Sequence, residues 1–109
     1  MDAADRLAVL VDAFADAPGV TPPGVSGRRA FGSDALKVDG AIFAMQVQGG
    51  LVVKLPAGRV AELVAGGVCA PFANGRGSPM REWATITDPA RDLQLATEAL
   101  AFVRTGRPG

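Results

Sequence analysis

The stretch 35–55 reads ALKVDGAIFAMQVQGGLVVKL, and its Asp39-Gly40 pair constrains the fold more than any other feature of the chain. An Asp-Gly dipeptide between alternating apolar residues is the signature of a type I′ hairpin, because both central residues must take positive φ. The turn pairs Val38 with Ala41 and Leu36 with Phe43, and alternation adds Met45 and Val47 to the same face. Leu51, Val53 and Leu55 join that face only if Val47 pairs with Leu51. This predicts a three-residue loop, Gln48-Gly49-Gly50, with a left-handed glycine. A tighter Gly49-Gly50 turn would set Lys54 beside Met45 and carry a charge into the core. The stretch is therefore expected to be a three-stranded antiparallel meander.

Its opposite face carries Lys37, Ile42, Ala44, Gln46, Gln48, Val52 and Lys54. Antiparallel sheets commonly leave one face to water, and plain solvation accounts for the polar rim. The apolar centre, Ile42, Ala44 and Val52, is the alternative: a partner surface or a homodimer face.

The flanks read as helices that cover the meander. In residues 2–17, Leu7, Leu10, Val11 and Phe14 recur at helical spacing, with Asp2 and Asp5 at the positive end of the dipole. Pro18-Gly19 stops this helix, and residues 18–27 form a loop whose prolines and glycines exclude regular structure. Arg28 to Phe31 leads into or begins a strand. Pro56 opens a short helix through Ala65 that buries Val60, Leu63 and Val64, and Gly66-Gly67 closes it. Short strands follow at residues 68–72 and 80–86, separated by the loop Asn74-Gly75-Arg76-Gly77-Ser78-Pro79. Asp88-Pro89 starts a final helix to about Arg104, with Leu93, Ala96, Leu100 and Val103 inward. Residues 105–109 should fray. The expectation is one α+β domain over 1–109: an antiparallel meander packed by N- and C-terminal helices, with a short helix inserted after the third meander strand.

Composition removes whole classes of chemistry. The chain has no histidine and one cysteine, which excludes an imidazole base, a histidine-activated nucleophile, a histidine metal ligand and an internal disulfide. Eleven basic and eleven acidic residues cancel, so no global field draws the chain to nucleic acid or an anionic membrane, and direct nucleic-acid binding is disfavoured. The first residues are acidic where a signal peptide would be basic, and no apolar run is long enough to span a bilayer. A cytoplasmic protein is expected, with no cofactor and no metal.

Arg28, Arg29, Arg76 and Arg81 are the anion-binding candidates, since guanidinium forks match phosphates and carboxylates. The glycines of residues 74–77 lack the Lys-Ser/Thr ending of a phosphate loop and read as turn residues. Cys69, between Val68 and Ala70, reads as a buried inert thiol. The acidic residues form no catalytic pair. Trp83 is expected to pack on the sheet or to anchor an interface, which makes Ile42, Ala44, Val52 and Trp83 the candidate interface residues.

Several short segments, in order, resemble the N-terminal domain of the TfoX (Sxy) family: Arg29-Ala30-Phe31-Gly32, Leu36-Lys37-Val38-Asp39-Gly40-Ala41-Ile42-Phe43-Ala44, Lys54-Leu55, Arg59-Val60-Ala61-Glu62-Leu63, Pro71-Phe72 and Met80-Arg81-Glu82-Trp83. The order and spacing of these segments, spanning roughly 7–103, carry the resemblance. The chain departs from the family in having Ala30-Phe31-Gly32-Ser33 where Met-Phe-Gly-Gly is common, in lacking tyrosine, and in lacking the second, helical domain of the competence regulators. The resemblance implies an α+β fold and an accessory role in transcriptional or competence regulation, and it brings no catalytic residues. The expected function is a non-enzymatic protein-interaction module, with a protein partner or self-association. The alternative is a small-ligand or anion-binding domain built on the arginines.

Overall fold

The computed structural model describes residues 2–21, 35–47, 49–73 and 76–105. The strand start expected at residues 28–31, Gln48 and the tail beyond Thr105 lie outside the described residues. The architecture is α+β, as expected: a sheet of six antiparallel strands with helices packed on one face.

Helix α1 (Ala3–Ala13) is capped by Asp2, whose carboxylate accepts from the Asp5 N–H at 2.9 Å. It buries Leu7 and Leu10 and ends at Ala13, four residues short of the predicted Ala17, with Phe14 as its C-cap. Pro18 disfavours the helical conformation at Ala17, and the chain leaves through tighter turns, Ala15 N–H to Asp12 O and Ala17 N–H to Phe14 O. The loop expected to lack regular structure then supplies a short strand, β1 (Val20–Thr21), paired with Val38 and Lys37.

Strands β2 (Ala35–Val38), β3 (Ala41–Val47) and β4 (Gly50–Lys54) form the meander. Asp39 at φ 51° and Gly40 at φ 85° make the predicted type I′ turn, and Val38 pairs with Ala41. Beyond that point the register departs from simple alternation. Lys37 pairs with Ile42 but Leu36 pairs with Ala44, so Phe43 is an extra residue, a bulge, and both Phe43 and Ala44 are buried. Val47 then pairs with Gly50, not Leu51, which leaves two residues rather than three for the second turn. The two departures cancel: the bulge moves the parity by one and the shorter turn moves it back. Leu51, Val53 and Leu55 reach the core as expected, whereas Met45 and Val47 leave it and Ala44 enters.

Helix α2 (Ala57–Ala65) follows Pro56, which sits at the N-cap rather than in the first turn. Its C-terminus is a Schellman motif: Val68 N–H donates to Leu63 O at 3.0 Å and Gly67 N–H to Val64 O at 3.1 Å, with Gly67 at φ 77°. Strands β5 (Cys69–Ala73) and β6 (Pro79–Ile86) form a hairpin whose second strand inserts beside β4, giving the order β1-β2-β3-β4-β6-β5. Asp88 caps a 3₁₀ turn, Pro89–Arg91, that continues as α3 (Asp92–Thr105).

Helix α3 buries Leu95, Ala96, Ala99, Leu100 and Val103, but Leu93 is 53% exposed. Leu93 lies about 100° round the helix from Asp92, on the flank of the stripe rather than its centre. The core joins these residues to the α1 and α2 stripes and the inward strand residues, with Phe14 and Phe43 in edge-to-face contact at 5.6 Å. No helix among the described residues is long and apolar enough to cross a membrane.

Candidate interaction face

Because all three helices pack on one side, alternation assigns the other side of the sheet residue by residue. Two lateral bands result. In the first, pairing runs unbroken across five strands: Ala35 with Met45, Met45 with Val52, Val52 with Thr85, and Thr85 with Ala70. Its middle is closed, since Ala35 and Val52 are buried while Met45, Thr85 and Ala70 are half-buried.

The second band is chemically different. Lys37 pairs with Ile42, Lys54 pairs with Trp83, and all four are half-buried. Lys37 and Lys54 are two strands apart, so their backbones lie about 10 Å or more from each other with β3 between them. These are the chain's only lysines. The Lys54 ammonium stands 5.7 Å from the centre of the Trp83 ring, a cation–π contact that orients both side chains. Among the described residues, no ion pair engages Lys37 or Lys54.

Two arginines are neutralised on the helical side. Arg6 of α1 grips Asp92 of α3 with both prongs, Nε to Oδ2 at 2.8 Å and Nη2 to Oδ1 at 2.7 Å, and also donates to the Ile86 carbonyl. Arg59 of α2 grips Glu98 of α3 similarly, at 2.9 and 3.0 Å. These hydrogen bonds raise both guanidinium pKa values, and the Arg59 contact holds Glu98 below its ordinary carboxylate value. Arg104 donates to the Pro18 carbonyl, fixing α3 against the chain leaving α1. Such partners, 86 and 39 residues apart in the case of the two ion pairs, give no local signal in the sequence.

The predicted interface set is thus divided. Ile42, Val52 and Trp83 share the helix-free face, with Val52 closed in the apolar band. Ala44, expected beside them, is fully buried against the helices because the bulge at Phe43 turns it inward. Met45 and Thr85 take its place; only a reading that foresaw the bulge would have found Met45. Of the predicted anion-binding set, Arg28 and Arg29 lie outside the described residues. Arg76 and Arg81 are both exposed on the β5–β6 hairpin. Cys69 is buried at the start of β5, where burial pushes its thiol pKa up and leaves it a poor nucleophile. A cavity of about 120 Å³ between α1 and the sheet is lined by Val11, Phe14, Ala15, Val20 and Leu36, with no polar side chain among them.

Comparison with known protein families, with curated proteins and with solved structures gave no match to this chain.

Proposed function

We propose that this chain is a non-enzymatic interaction module of the cytoplasm, and that its contact surface is the helix-free sheet face centred on Ile42, Lys54 and Trp83. One observation carries the reading: this face presents the aliphatic Ile42, the chain's lone tryptophan and two lysines that no ion pair engages among the described residues. Tryptophan is among the residue types enriched at interface anchors. An enzyme reading lacks a comparable cluster among the described residues, since Cys69 is buried, Asp92 and Glu98 are held in ion pairs, and Asp2 and Asp88 cap helices. A regulatory accessory role, expected from the resemblance to the TfoX N-terminal domain, is part of this proposal.

The test is comparative capture. Tagged wild-type protein and the variants Ile42→Asp and Trp83→Ala are used as bait in the native cell, with folding checked by circular dichroism. A partner retained by the wild type and lost from both variants is expected. Identical captures from all three would remove the face from consideration.

A further inference from the structure

We infer that the partner docking on this face is an acidic polypeptide segment, one that brings carboxylates to Lys37 and Lys54 and an apolar side chain to Ile42; this rests on the face being the contact surface. Charge complementarity is the warrant. The chain as a whole is neutral, yet among the described residues the helices and their caps carry seven acids (Asp2, Asp5, Asp12, Glu62, Asp88, Asp92 and Glu98) against four arginines (Arg6, Arg59, Arg91 and Arg104). Helix α1 with its cap carries Asp2, Asp5 and Asp12 against Arg6 alone, and Arg6 is consumed by Asp92. The helix-free face holds both lysines without an ion-pair partner among the described residues, and Arg81 is exposed two residues along β6 from Trp83. The described acids that adjoin these residues along the chain belong to other positions: Asp39 sits in the type I′ turn, and Glu82 alternates to the other side of β6 from Trp83.

Other occupants fit less well. A second copy related by a twofold axis would set Lys37 and Lys54 against the same lysines, an isologous contact between like charges. Single-stranded nucleic acid wants several open rings for stacking, and here one ring is present with a lysine already over it. A carboxylate can draw Lys54 forward while the Trp83 ring accepts an apolar side chain, so an alternating acidic–apolar segment satisfies the band.

The experiment is fluorescence anisotropy with three labelled probes: a short peptide alternating Glu and Val, one alternating Lys and Val, and an oligothymidylate of similar length. Only the Glu-Val peptide is expected to bind. Raising NaCl from about 20 mM to about 500 mM, which shortens the screening length several-fold, should weaken it about tenfold or more. The double variant Lys37→Glu/Lys54→Glu, with its fold checked by circular dichroism, should lose about tenfold or more at low salt, and Lys37→Gln/Lys54→Gln should fall between. Equal binding of the Lys-Val peptide, preferential binding of the oligothymidylate, absence of binding by the Glu-Val peptide, or a salt-independent affinity would each overturn the inference. Failure of the charge argument is separable from failure of the face. If Ile42→Asp abolishes cellular capture while the double Gln variant leaves it intact, the face stands and the acidic partner does not.

Discussion

Arg6 and Asp92 show how much a single side chain can hold. Both side chains are nearly buried, at 12% and 13% exposure, and their fork joins the first helix to the last. Removing one partner strands the other charge away from water, so Arg6→Ala should cost about 3 kcal/mol in chemical denaturation. Glu98 makes a pH-dependent contribution. Its pKa is lowered by Arg59 in the folded state, so its stabilisation is fully present above the unfolded value and is lost as pH falls through the folded one. Glu98→Gln should therefore flatten the stability profile below about pH 4.3, with no change of slope near neutrality. Neither pair was legible beforehand, because each is made by residues that look like ordinary solvated helix charges until the helices meet. Asp2 and Asp88 were legible as caps, since a cap is decided within a few residues of itself.

Elements were read well where the signal is local and less well where neighbours decide. Asp39-Gly40, the α2 stripe and the Gly66-Gly67 stop all stand as read, because turn and helix chemistry act over four or five residues. Gly67 sits at φ 77° with open space where a Cβ would go, so Gly67→Ala should cost about 1 kcal/mol from backbone strain alone, measurable by thermal denaturation. The β3 bulge escaped because alternation has no memory of a skipped residue. Phe43 is pulled inward by its edge contact with Phe14, a long-range fact that no window along β3 contains. A double-mutant cycle on Phe14 and Phe43 should return a coupling of about 0.5–1.5 kcal/mol, and a coupling near zero would mean that the ring contact does not hold the bulge.

Across the whole molecule, the sheet has a protected middle and two weak margins. β1 has two residues and β5 carries Pro71, which cannot donate to a ladder. Amide exchange should be fastest at these margins and slowest in β3 and β4, whose inward residues Phe43, Ala44, Leu51 and Val53 are fully enclosed. Meander, helix order and fold class were legible because they follow from the sequence of elements. The composition of the exposed face was legible only in part, since one extra residue reassigns everything downstream of it until the next turn. Phe43 consequently stands outside the reading frame of the sheet. Deleting it leaves Lys37 opposite Ile42 and Leu36 opposite Ala44 as consecutive pairs, so the lesion is in frame and removes only an aromatic ring. Deleting Val52 from the regular β4 is out of frame, exchanging lysine for leucine across the sheet.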